Sequence, residues 1–226
     1  MQSQLADFLS LLYPKVCINC NCGLTKKEEH LCLTCELSLP KSQYLANKAE
    51  LLKKFAFQRK VIGAYAYLDF IKDGIVQKLI HGLKYQGKQS LGVWLGQRFG
   101  KEMMNRVGQI DLIVPIPLHA SRMRTRGYNQ SDRIAEGLGE TMEIPVDTQT
   151  IIRAKETTTQ TRKDKLNRWK NIHSVFDVLD PDQVYQKNIL VVDDVITTGA
   201  TLGTFCDEVA KYEPTSLTIA ALAAGK

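Results

Sequence analysis

The hydrophobic pattern of the chain changes near residue 111. Before that point the clearest signal is helical: Ile75, Val76, Leu79, Ile80 and Leu83 in KDGIVQKLIHGLKYQGK fall on one face of a helix that ends near Gly87. The opening MQSQLADFLSLLYPK predicts a short amphipathic helix with Leu5, Phe8, Leu11 and Leu12 on one side. With no basic residue before its apolar positions, it does not resemble a secretory signal. Between Pro40 and Gly63 a lysine-rich stretch with scattered Leu and Phe reads as helical, and VIGAYAYLDF (61–70) as a strand or hairpin arm.

From Asp111 onward, strands alternate with helices. DLIVPIP is a short buried-type strand stopped by prolines, and NQSDRIAEGLGET is a helix that Asn129 or Ser131 can cap. VDTQTIIRA alternates like a strand, and NILVVDD is a continuous apolar strand. TLGTFCDEVAKY is a helix burying Leu202, Phe205, Val209 and Ala210, and SLTIAALA is a final strand. The alternation predicts a mainly parallel α/β sheet flanked by helices, in which ligands bind beyond the carboxyl ends of the strands.

With 44% hydrophobic and 24% charged residues over 226 positions, the composition is that of a globular protein of one domain plus a small appendage. No apolar run approaches the length of a membrane span, so no membrane insertion is expected and a cytoplasmic location is. The net charge of +6 is unevenly placed. Arg122, Arg124 and Arg126 contribute +3 within ten residues, and 153–170 contributes +5, which leaves the remainder net negative. A local basic excess points to an anionic ligand rather than to general solubility.

Five of the six cysteines fall within CINCNCGLTKKEEHLCLTC. Cys17 and Cys20 form one CxxC, and Cys32 and Cys35 another, with eleven residues between. Each such turn points two thiolates at one metal, so the pair predicts a tetrahedral, structural zinc site with no open coordination position. Cys22 and His30 are spare candidates, and Cys22 can replace Cys20 geometrically. Disulfides would require an oxidising compartment. Cys206, far away on a predicted helix, reads as a buried thiol.

The stretch ILVVDDVITTGAT (189–201) places two carboxylates at the end of an apolar strand, where an unpartnered charge is costly. A small-residue turn and a helix start follow. Backbone amides exposed there attract a phosphate, Thr197, Thr198 and Thr201 add hydroxyl donors, and Gly199 permits a positive φ and a close approach. Asp193 and Asp194, acceptors only, suit vicinal hydroxyls. The loop therefore fits a sugar 5-phosphate. It is not a nucleotide P-loop, since GxxxxGK[ST] is absent.

This stretch resembles the phosphoribosyl pyrophosphate (PRPP) binding motif of type I phosphoribosyltransferases, which implies PRPP contacts from Asp193, Asp194, Thr197, Thr198, Gly199, Ala200 and Thr201. In chain order, CINC…CLTC, LIHGLKYQGK, PIPLHASRMRTRGYNQS and TTTQTRKDKLNRWKNIHSVF resemble the ComF family of competence-associated phosphoribosyltransferase-like proteins. The resemblance implies a type I phosphoribosyltransferase fold behind an N-terminal helix and zinc knuckle (1–40). Within 41–226, residues 41–110 would form the hood and 111–226 the core. It further implies a pyrophosphate loop at Pro117–Ser121, including Leu118 and His119, with Arg122, Arg124 and Arg126 beside it. The basic segment 156–170 would be the flexible loop, its Arg162, Lys163, Lys165 and Arg168 neutralising the leaving pyrophosphate and its closure excluding water. Magnesium is expected with PRPP, as template and charge neutraliser.

One position departs from the pattern. Purine-salvage members of the fold carry an Asp where this chain has Thr197, and a threonine hydroxyl is no base at neutral pH without an activating partner. The acceptor is unassigned, no catalytic residue is named, and the hood supplies His81, Lys84 and Tyr85 as candidates to face it. Two functions remain. One is Mg-dependent transfer of a phosphoribosyl group with release of pyrophosphate, in the setting of DNA uptake. The other is a single-stranded-DNA-binding accessory protein, partnered by a DNA-uptake helicase, with the PRPP site as sensor or relic. Single-strand binders offer aromatic platforms, and only Tyr128 and Trp169 lie in or beside the basic segments.

Overall fold

A computed structural model describes residues 15–153 and 175–225. The predicted helix at residues 5–12 and the basic segment 156–170 lie outside the described residues.

The fold is organised by two strands that are apolar without alternation. β5 (Asn188–Ile196) and β6 (Ser216–Gly225) are buried over most of their length, which requires layers on both faces. They are the inner strands of a four-stranded sheet of order β1-β6-β5-β2, all parallel, with β1 (Val61–Phe70) and β2 (Leu112–Pro115) outside. β1 is therefore a parallel partner of β6 and not a hairpin arm, although some 150 residues separate Val61 from Leu217 in the chain.

Side chains alternate between the two faces as the pleat demands. Leu190, Val192 and Leu222 face one core with Leu79, Leu83, Trp94, Phe99 and Ile134. These come from α4 (Ile75–Tyr85), α5 (Gln89–Met103) and α7 (Gln130–Met142). Ile189, Val191, Ile219 and Ala221 face the other core with Leu51, Phe55, Phe176, Leu202 and Phe205. That layer is built by α2 (Gln43–Ala46), α3 (Lys48–Leu52), the β4 strand (Phe176–Val178) and α8 (Ala200–Ala210). α5 and α7 approach almost backbone to backbone. A Cβ on Gly96 would stand 2.2 Å from the Ile134 carbonyl oxygen, and one on Gly137 2.1 Å from that of Val93. Only glycine fits either position.

The predicted strand VDTQTIIRA is shorter than its pattern. Asp147 accepts from the backbone N–H groups of Gln149 and Thr150 at 2.8 and 2.9 Å, a side-chain turn that delays the strand. β3 begins at Ile151, ends at Arg153 and pairs antiparallel with β4 outside the main sheet. No described helix is long and apolar enough to cross a membrane.

Candidate functional site

The carboxyl ends of β2 and β5 open onto one cleft of about 430 Å³. β5 delivers Asp193 and Asp194 to its floor, and the chain then turns through Thr197–Gly199 into α8. Gly199 has φ +82°, and a Cβ there would meet the Phe55 ring at 3.0 Å, so the turn needs glycine on both counts. The Thr198 hydroxyl accepts from the Ala200 amide at 3.3 Å, and Lys54 Nζ donates to the Thr197 carbonyl at 2.8 Å. The turn is thus pinned from its outer side, while Thr197 and Thr201 line the cleft.

β2 leads through Ile116, Pro117 and Leu118 to α6 (Ala120–Arg126). His119 caps α6, its Nδ1 accepting from the Ser121 amide at 3.2 Å. Arg122 and Arg126 reach the cleft; Arg124, two residues from each, does not. Arg126 donates to Gln130 Oε1 at 2.6 Å and stands over the Tyr85 ring. Asn129 caps α7 by accepting from the Ser131 amide, and donates to the Ile116 carbonyl at 3.0 Å, which ties the helix to the end of β2.

The acidic pair is held tightly. Asp193 Oδ1 accepts from the Asp194 amide at 2.8 Å and from Ser131 Oγ at 3.2 Å. Asp194 Oδ2 lies 2.7 Å from Lys84 Nζ. Burial, and next the charge of Asp194, push the Asp193 carboxyl up to about 7, against the opposing pull of its amide donor, Lys84 and Ser131. Arg153, at the end of β3, lines the same cleft; burial and then Arg122 lower its affinity for a proton.

Of the residues singled out from the sequence, the cleft gathers Asp193, Asp194, Thr197, Thr201, Leu118, Arg122 and Arg126, together with Lys84 from α4. Thr198, Gly199, Ala200 and His119 shape the turns beside it. Tyr85 is exposed, and His81 lies against Tyr85, lining a separate hollow beside the cysteine knuckle. Arg153 is a cleft residue that the motifs did not mark, and Ser131, read from the sequence only as a possible helix cap, joins it there. For Arg153 the available signal is a cation at the carboxyl end of a strand. Arg162, Lys163, Lys165 and Arg168 lie outside the described residues.

At the front, the thiols of Cys17, Cys20, Cys22 and Cys32 lie within 4.8 Å of one another. The spacing pointed to Cys35 where this quartet has Cys22. Its presence has a local cause: Asn21 takes a positive φ, the Cys17 amide bonds to the Cys22 carbonyl at 2.9 Å, and Val16 pairs with Gly23, so the chain doubles back on itself. Cys35 is a fifth thiol in contact with Cys17, Cys20 and Cys32, and its Sγ accepts from Asn19 Nδ2 at 3.3 Å. Zinc–thiolate bonds of about 2.3 Å place sulfurs just under 4 Å apart, so the cluster fits a tetrahedral metal. His30 packs edge-on against Trp94, outside the quartet.

The phosphoribosyl transferase domain model matches residues 123–226. Competence protein F of Haemophilus influenzae is 34% identical over 93 residues, 41% of each chain. The DNA utilization protein YhgH of Escherichia coli K12 is 28% identical over 86% of this chain and 83% of its own. Competence protein ComFC of Bacillus subtilis is 27% identical over 86% and 78%. The chain is similar to these competence and DNA utilization proteins and, over its C-terminal part, to phosphoribosyl transferase domains. Its match spans less than half of the Haemophilus protein's length. Among solved structures, the allosteric regulatory enzyme of purine biosynthesis is a looser likeness: TM-score 0.44, 17% identity, over 59% of this chain and 25% of that one. The stretch matched by the phosphoribosyl transferase domain carries β5, β6 and the turn at 197–201, with the four-cysteine cluster ahead of it in the chain.

Proposed function

We propose that the cleft binds PRPP with magnesium, and that the protein transfers the phosphoribosyl group to an acceptor with release of pyrophosphate, in the service of competence or DNA utilization. The convergence of Asp193, Asp194, Thr197 and Thr201 with Arg122 and Arg126 around one cleft supports this reading. In it, the 5-phosphate rests on the turn before α8, where the helix N-terminus attracts an anion and Thr197 and Thr201 line the cleft. The carboxylates accept from the ribose hydroxyls, and Asp193 gains from those donors because burial beside Asp194 disfavours its charge. The forked guanidinium groups of Arg122 and Arg126 take the pyrophosphate oxygens. The carboxylate oxygens are the hard donors that magnesium prefers, and a bound ion would neutralise charge developing on the leaving pyrophosphate. Zinc on the cysteine cluster is assigned a structural role.

The names of the relatives support the DNA setting. Calorimetric titration of PRPP, with and without magnesium, into wild type and an Asp193→Asn/Asp194→Asn double variant tests the reading. Magnesium-dependent binding that the variant loses is the expected result. A folded, zinc-loaded wild type that binds no PRPP refutes it and makes single-stranded DNA the next ligand to titrate.

A further inference from the structure

We propose that Lys84 is the built-in counter-cation of the acidic pair: it takes the carboxylate face that a divalent metal would use, so the site refuses free metal and admits it only with an anionic ligand. The second half of this statement rests on the PRPP reading; the first does not.

Lys84 is not a wandering surface lysine. Its ammonium is 2.7 Å from Asp194 Oδ2, and both side chains are largely shielded, at 21% and 15% exposed. The helix that carries it is anchored by the buried Val76, Leu79 and Leu83, and the Tyr128 hydroxyl donates to the Leu83 carbonyl one residue away. At the helix start, Lys78 Nζ donates to the Asn19 carbonyl at 2.9 Å and ties α4 to the knuckle.

One of the remaining carboxylate oxygens is also engaged: Asp193 Oδ1 already accepts two hydrogen bonds. Among the described residues lining the cleft, Asp193 and Asp194 are the only acids, against Lys84, Arg122, Arg126 and Arg153. A divalent ion bonded at about 2 Å to Asp194 Oδ2 would lie against the Lys84 ammonium, and like charges at such separations repel strongly in a shielded cleft. A ligand carrying pyrophosphate changes the balance. It brings negative charge for the metal and gives Lys84 another partner, so metal and ligand bind together and each weakly alone.

The test is titration of Mn²⁺ by electron paramagnetic resonance of the free ion, without ligand. The proteins compared are wild type, Lys84→Met, Lys84→Arg and the Asp193→Asn/Asp194→Asn variant as baseline for stray sites. Wild type and Lys84→Arg should stay near the baseline, while Lys84→Met gains one site about tenfold or more tighter. A Lys84→Met protein with unchanged or weaker Mn²⁺ affinity overturns the proposal, as does an equal gain in Lys84→Arg. A merely structural ion pair would lower stability on substitution without raising metal affinity. Lys84→Gln gives the same comparison should the Met variant fail to fold. Added PRPP should then tighten Mn²⁺ binding in wild type far more than in Lys84→Met. A gain in Lys84→Met with no response to PRPP in any protein upholds the counter-cation and overturns the PRPP reading.

Discussion

Replacing Asp193 by Asn should make this protein more stable at alkaline pH while removing its ligand site. The folded-state pKa of Asp193 is raised from an ordinary 3.8 to about 7 by burial and by Asp194. Between those values the native state holds a proton that the unfolded chain has released, so stability falls as pH rises through the window. Above pH 7 the native carboxylate is charged and the penalty is complete. At roughly 1.4 kcal/mol for each unit the full window corresponds to about 4 kcal/mol. Asp193 keeps part of its surface open to the cleft, so solvent screening reduces this to about 2 kcal/mol. An Asn retains an oxygen to accept from Ser131 and the Asp194 amide, so the change removes charge without orphaning donors. Urea unfolding of wild type and Asp193→Asn at pH 5 and pH 8, in zinc-buffered solution, reads the difference. The variant should gain about 2 kcal/mol at pH 8 and clearly less at pH 5. A variant no more stable at pH 8, or one whose gain is the same at both pH values, would refute the reasoning: the Lys84 ion pair would then already offset the burial of the pair.

Two further outcomes are expected. If the compact quartet holds the metal, Cys22→Ser should lose its zinc and Cys35→Ser keep it, measured as zinc per chain by atomic absorption; the reverse pattern would return the fourth position to Cys35. Arg122→Ala and Arg126→Ala should each weaken pyrophosphate by about tenfold or more in calorimetric titration, while Arg124→Ala changes little. Equal losses for all three would mean the arginines act only as a diffuse positive field.

What was legible in the sequence is what neighbours along the chain decide. NILVVDD announces a buried strand because its apolar run is continuous, and TTGAT a turn because Gly199 alone among its residues adopts φ +82° without strain. The cap of α7 and the end of α4 were readable for the same reason. α5 shows the limit. Its glycines weaken the helical signal, and their use appears only when Gly96 meets α7 and Gly137 meets α5 at distances no Cβ allows. Likewise VIGAYAYLDF carries a strand pattern, yet its parallel partner is the last strand of the chain. The candidate site divides along this line. Asp193, Asp194 and the threonine turn lie within one local motif. Lys84 and Arg153 reach them from α4 and β3, which only the folded chain brings to the carboxyl ends of β2 and β5. Charge state follows the same division: two adjacent aspartates are a fact of sequence, but burial and the ammonium 2.7 Å away exist only in the folded chain, since electrostatic energy depends on spatial distance and solvent access. The cysteines repeat it, for the spacing selected two CxxC pairs while a turn at Asn21 brought Cys22 into the cluster.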